Sequence, residues 1–307
     1  MVALLFPGQG SQYVGMGRDL AAAFPEARAV FEEADDVLGV ALSRLAWEGP
    51  EEELTATHNA QPAILTHSIA VYRVVSARLE GVQFAAGHSL GEFTAYTAAG
   101  ALTFADALRT VRRRGQLMFE SGRQRPGTMA AILGLEDEEV ERLCREVAGE
   151  GGECVPANYN APGQVVVSGD VPAVERVMEL AREAGAKRVV RLNVSGAFHS
   201  PLMAAAEAGL AAHLETVSLE SPRFPVVSNV TALPVTDAVE ARRLLLQQLT
   251  APVRWTGCMR TILAAGVTRF LELGPGNVLS GLLKRIDRAA EVRTLGKAEE
   301  VEAFLRG

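Results

Sequence analysis

The chain reads as an α/β protein whose parallel sheet is interrupted by a smaller inserted unit. Short apolar runs alternate with helix-length amphipathic segments at the start and end of the chain. That alternation builds a mostly parallel sheet covered on both faces. The pentapeptide Gly87-His88-Ser89-Leu90-Gly91 follows an apolar run and precedes a helical stretch, the strand–elbow–helix signature of an α/β-hydrolase-like sheet. The middle of the chain follows the order β-α-β-β-α-β, a ferredoxin-like unit. The large α/β-hydrolase-like domain is therefore expected over 1–122 and 193–307, and the ferredoxin-like insert over 123–192.

In order, Val2 to Phe6 reads as a buried strand ending in Pro7-Gly8-Gln9-Gly10-Ser11-Gln12. One helix is expected from Met16 to Leu38 and another from Gln61 to Leu79. Phe84-Ala85-Ala86 is the strand before the elbow, and a helix follows it. Thr103, with Asp106 three residues on, predicts the start of a helix running to Phe119. In the insert, Thr128–Leu133, Cys154–Tyr159, Gln164–Ser168 and Lys187–Val194 read as strands, while Glu136–Val147 and Pro172–Glu183 read as amphipathic helices. The larger domain resumes with a helix from Pro201 to Val217 and short strands at Phe224–Ser228 and Thr268–Leu273. Helices are expected over Ala238–Leu249, Thr256–Ala265 and Val278–Arg285, and Gly274-Pro275-Gly276 reads as a chain reversal.

Composition narrows the function. Hydrophobic residues are 48% and charged residues 22% of 307, as in an ordinary globular protein. No apolar run has the length of a membrane span, and the start of the chain shows no basic leader, so no membrane association is expected. The net charge of −7 disfavours a nucleic-acid partner. Cys144, Cys154 and Cys258 form neither a disulfide framework nor a metal pattern, which predicts a cytoplasmic protein with no metal site.

The elbow carries the chemistry. Its glycines make room for a turn that lifts the Ser89 hydroxyl above the sheet edge, facing the N–H groups of the next helix. A serine needs a base, and histidine is the usual one near neutral pH. Of five histidines, His199 is the best placed, in the loop Ser195-Gly196-Ala197-Phe198-His199-Ser200-Pro201 between a strand and a helix. His58 and His67 lie upstream, His213 falls within a helix and is expected on the surface, and His88 adjoins the nucleophile, where an orienting role is open. No acid between Ser89 and His199 stands out as a third member, since Asp106 is explained as a helix-start residue. A Ser–His dyad, with the imidazole oriented by an amide or a backbone carbonyl, fits better than a triad. Arg114 lies at the edge of the apolar stripe of its helix, one turn from Val111 and Met118. It reads either as an arginine whose stem lies on apolar surface or as a fork gripping a carboxylate; the second points to an acyl substrate bearing a free carboxylate.

Phe6-Pro7-Gly8-Gln9-Gly10-Ser11-Gln12, Gly87-His88-Ser89-Leu90-Gly91-Glu92, Arg114-Gly115, Ala197-Phe198-His199-Ser200 and Gly274-Pro275-Gly276, in this order and spacing, resemble the malonyl-CoA:acyl carrier protein transacylases of type II fatty acid synthesis. The resemblance runs from the first strand to near the end of the chain. It implies the same two-part fold, with Ser89 as the acylated nucleophile, His199 as its base and Arg114 on the malonyl carboxylate. It also implies Gln9 and Leu90 as backbone oxyanion donors. Gln248, or its neighbour Gln247, would orient the histidine through its carbonyl. Gln61, His88, Asn158, Asn160 and Phe198 would line the pocket. Phe198 implies selectivity for malonyl over methylmalonyl groups, although Gly196 departs from many relatives, which have proline or another residue there.

The resemblance implies malonyl-CoA and acyl carrier protein as partners, a phosphopantetheine acceptor, no cofactor of the chain's own, and a monomer. An acidic carrier would need a local basic patch, from Arg112, Arg113, Arg123 and Arg125 or from Lys187 and Arg188. A polyketide acyltransferase and a serine hydrolase of acyl thioesters are the competing readings, and a non-catalytic interaction domain the weakest.

Overall fold

A computed structural model describes all of residues 1–307. The strands are β1 (Val2–Phe6), β2 (Val82–Gly87), β3 (Gly127–Leu133), β4 (Cys154–Ala161), β5 (Gln164–Asp170), β6 (Arg188–Arg191), β7 (Val226–Val227), β8 (Pro234–Val235), β9 (Arg269–Leu273) and β10 (Glu291–Leu295). One sheet has the order β10-β9-β1-β2-β7-β8. Its pairings are parallel except β7 with β8. β1 is buried along its whole length because both faces are covered. Val2, Leu4 and Phe6 enter one core; Ala3 and Leu5 enter the other, with Trp255 and Phe270.

The second sheet, β4-β5-β3-β6, is antiparallel throughout. Alternation divides its side chains between two jobs. Ala130, Ile132, Val165 and Val167 pack under the helices Asp137–Gly149 and Val171–Glu183. Met129, Ala157 and Val166 face the other way and pack with Leu117, Met118, Phe198 and Met203 from the large unit. The insert thereby walls a cleft. Main-chain bonds tie β4 to the large unit, from the Tyr159 N–H to the Val253 carbonyl at 2.9 Å and from the Val253 N–H to the Ala157 carbonyl at 2.8 Å.

Several elements differ from expectation. The first helix is two, Arg18–Ala23 and Pro25–Leu38, because Pro25 supplies no N–H and starts a new helix after extended Phe24. The expected Gln61–Leu79 helix begins earlier, at Thr57, and yields to a 3₁₀ turn at Ser76–Arg78. The helix after Thr103 extends to Gln124; the Thr103 hydroxyl caps it by accepting from the Asp106 N–H at 3.1 Å. The helices Leu42–Glu48, Glu51–Thr55 and Ala298–Arg306 and the strands β8 and β10 had no expectation. The two short helices and two-residue β8 are too brief for periodicity to register.

Candidate active site

β1 and β2 end side by side, with Phe6 opposite Gly87. The loop after β1 carrying Gln9 therefore meets the elbow after β2, at the carboxyl edge of the sheet where ligand sites in such sheets gather. Ser89 sits at φ 52° and ψ −109°, a sparsely populated conformation for a non-glycine residue. The flanking glycines are steric requirements. A Cβ on Gly87 would lie 1.8 Å from Gly91 main-chain atoms, and one on Gly91 would lie 2.1 Å from the Phe6 oxygen.

The Ser89 Oγ is 2.7 Å from His199 Nε2, and His199 Nδ1 is 2.9 Å from the Gln248 backbone oxygen. A carbonyl can only accept, so Nδ1 carries the proton and Nε2 is the free acceptor facing the serine. His199 is buried, and its left-handed backbone (φ 57°) precedes Ser200, whose hydroxyl donates to the Ala197 carbonyl at 2.7 Å. Burial first, and then the Arg114 charge, push the imidazole down to about 3, with the Gln248 carbonyl opposing. It is neutral at pH 7.

Arg114 is 1% exposed, so the reading of a stem resting on apolar surface does not hold. The helix bearing it crosses the Thr57–Val75 helix closely, because a Cβ at Gly115 would lie 2.6 Å from the His58 Cα. That crossing brings Arg114 to Gln61. Nη1 donates to Gln61 Oε1 at 2.8 Å; Nη2 donates to Ser89 Oγ at 3.1 Å and Gln248 Oε1 at 3.0 Å. The guanidinium also lies over the Phe93 ring at 5.5 Å. Burial pushes it down to about 10, with Glu92 opposing, which leaves it a cation at neutral pH.

These groups open onto a cavity of about 350 Å³ whose lining includes Gln9, Gln61, His88, Ser89, Leu90, Arg114, Asn158, Phe198 and His199. The backbone N–H groups of Gln9 and Leu90 donate to no protein acceptor, leaving both available to an oxyanion. Gln9 is anchored by its side chain, whose Nε2 donates to Thr57 Oγ1 at 3.1 Å. Asn160 departs from expectation: it is not part of the lining, and its Oδ1 instead faces His88 Nε2 at 2.8 Å, bracing that ring. The carbonyl that His199 Nδ1 meets is that of Gln248, not Gln247; the Gln247 side chain is exposed and accepts from Arg243. His67 is buried against the Gly296 carbonyl, and His213 is half-buried beside Thr110 rather than on the surface.

Two residues beside the site carry no role in the sequence analysis, Asn229 and Glu92, although Glu92 closes the elbow motif. Asn229 Oδ1 accepts from the Ser89 N–H at 2.8 Å, and its Nδ2 donates to the Gly87 carbonyl at 2.8 Å. Glu92 Oε2 accepts from Gln248 Nε2 at 2.6 Å and the Asn229 N–H at 3.1 Å. Burial pushes the Glu92 carboxyl up to about 7, opposed by those bonds and by the Arg114 charge. The single charged residue of its helix, three positions after Ser89, was the available signal for Glu92; Asn229 had none.

The profile of the acyl transferase domain family matches residues 3–300. A malonyl CoA-acyl carrier protein transacylase of Bacillus subtilis is 46% identical over 99% of this chain and 96% of its own length. An acyl-carrier-protein-S-malonyltransferase from Bartonella henselae superposes with a TM-score of 0.95 at 45% identity, covering 99% of this chain and 98% of that one. A malonyl-transacylase solved in complex with a type II PKS acyl-carrier protein superposes equally well, with a TM-score of 0.95 at 43% identity over 99% of both chains.

Proposed function

The chain belongs to the acyl transferase family, and from that premise we propose that it moves malonyl groups from malonyl-CoA to the phosphopantetheine thiol of an acyl carrier protein through an ester on Ser89. The observation that carries this reading is one hydroxyl held between a neutral imidazole at 2.7 Å and a buried guanidinium at 3.1 Å. The first pair forms a nucleophile; the cation selects an acyl group with a second carboxylate.

In the first half-reaction the malonyl carboxylate takes the guanidinium. Ser89 Oγ attacks the thioester carbonyl, and His199 Nε2 takes the hydroxyl proton. The tetrahedral oxyanion accepts from the Leu90 and Gln9 N–H groups, each worth roughly 3–4 kcal/mol in comparable sites. The C–S bond breaks, the CoA sulfur takes the proton from His199, and free CoA leaves. In the second half the carrier's phosphopantetheine thiol gives its proton to His199 Nε2 and the sulfur attacks the Ser89 ester. The ester C–O bond breaks, and Ser89 recovers its proton from His199. Arg114 and the backbone N–H groups supply the charge stabilisation, so the reading needs no metal or redox cofactor.

The pathway served on this reading is fatty acid elongation, in the cytoplasm, with the chain as a monomer. No helix is long and apolar enough to cross a membrane. Arg125 is engaged with Glu153 and Asp170, and Arg112 donates to the His58 carbonyl. Arg123, Lys187 and Arg188 are exposed and form no ion pair, which favours them for docking an acidic carrier.

Intact-mass measurement after brief exposure to malonyl-CoA tests the proposal. The expected result is one malonyl adduct, mapped to the Ser89 peptide, that is discharged by phosphopantetheinylated carrier and persists without it. Rapid release of malonate to water instead would make the chain a hydrolase; an adduct on another residue would end the assignment.

A further inference from the structure

We propose that Glu92 is a positioning residue, which locks the Gln248 carboxamide and the Asn229 main chain so that the Gln248 carbonyl faces His199 and the Asn229 side chain holds the Ser89 N–H. The proposal rests on the transacylase reading and adds a residue to its machinery. Glu92 touches none of the reacting atoms. It is fully buried in the helix that begins at Leu90.

Donors and acceptors fix the arrangement. A main-chain N–H can only donate, so Glu92 Oε2, which takes the Asn229 N–H, is an acceptor, and a guanidinium only donates. The Gln248 side chain lies between the two. Its Nε2 meets Glu92 Oε2 at 2.6 Å, and its Oε1 receives Arg114 Nη2 at 3.0 Å. A flipped amide would set oxygen against the carboxylate and N–H against the guanidinium, so Glu92 and Arg114 together permit one orientation. In that orientation Nε2 also donates to the Ser89 carbonyl at 3.0 Å. The same residue's backbone oxygen receives His199 Nδ1 at 2.9 Å. Glu92 Oε2 also takes the Asn229 N–H at 3.1 Å, and Asn229 Oδ1 takes the Ser89 N–H at 2.8 Å. One buried oxygen thus braces the nucleophile from one side and its base from the other.

The second oxygen, Oε1, has no partner. This makes the proposal separable from a role for charge. In Glu92→Gln the amide oxygen can replace Oε2 while the NH₂ takes the unpartnered position. In Glu92→Asp the charge stays but the reach shortens by one methylene. Glu92→Asp is expected to lose roughly 10- to 100-fold in kcat with KM changed much less, and Glu92→Gln, which keeps the reach, to recover most of that loss. The His199 Nδ1 proton resonance should move in Glu92→Asp and stay in Glu92→Gln. A loss of kcat in folded Glu92→Gln as large as in Glu92→Asp, or a parental kcat in Glu92→Asp, overturns the proposal. If Glu92→Asp does not fold, the same resonance in Gln248→Ala decides: a shift supports the route through the Gln248 side chain, and an unchanged resonance refutes it. The resonance does not depend on turnover, so a parent enzyme that forms no malonyl-Ser89 would sink the transacylase reading separately.

Discussion

Replacing Arg114 with alanine should separate malonyl from acetyl transfer. The guanidinium can offer a bound carboxylate two charge-assisted hydrogen bonds, each worth about 1.5–3 kcal/mol in a buried site. Their loss amounts to about 3–6 kcal/mol, or roughly 10²- to 10⁴-fold in kcat/KM for malonyl-CoA. The truncation also strips a donor from Ser89 Oγ, Gln61 Oε1 and Gln248 Oε1, which now receive Arg114 at 3.1, 2.8 and 3.0 Å. That second cost falls on every substrate alike. Acetyl-CoA has no second carboxylate, so it should lose only this common part, about tenfold or less. The ratio of the two losses therefore isolates the clamp. Rapid-quench acyl-enzyme formation with each thioester, read by intact mass, measures it. Equal losses on malonyl and acetyl would refute the carboxylate assignment and leave Arg114 as a buried structural cation.

The remaining expectations concern pH, pocket size and the elbow. His199, held down to about 3, should remain an active base well below the ordinary imidazole range; the acidic limb of kcat/KM should lie under about pH 5 and move upward in Arg114→Ala. A limb at 6.5 in the parent would contradict this. Glu92 carries the opposite sign: its pKa is raised from 4.5 to about 7, so the stability it contributes is fully present below 4.5 and lost as pH rises through 7. Denaturant midpoints should therefore show the parent losing ground to Glu92→Gln across that window. Phe198→Ala should raise methylmalonyl relative to malonyl transfer by about tenfold or more, and an unchanged ratio would remove Phe198 as the gate. Gly91→Ala should cost about 3 kcal/mol or more, because its Cβ would lie 2.1 Å from the Phe6 oxygen; a parental unfolding midpoint would mean the elbow is looser than described.

What the sequence determined by itself was local. The Gly87–Gly91 elbow is legible because a sharp turn excludes side chains at two positions within five residues. The Thr103–Asp106 helix start and the β-α-β-β-α-β order are legible because caps and amphipathic periods are short-range features. The tertiary structure alone decided how distant residues combine. It buried Arg114, which the helix period could place only at a stripe's edge, and it chose the backbone carbonyl of Gln248 over that of Gln247. It also assembled Glu92, Asn229 and Gln248 beneath the nucleophile, through hydrogen bonds spanning 137 and 156 positions of chain. Periodicity reports which face of an element turns inward. It carries no information on which other element waits there, and a buried carboxylate and its donors find one another only when the helices and strands that carry them pack.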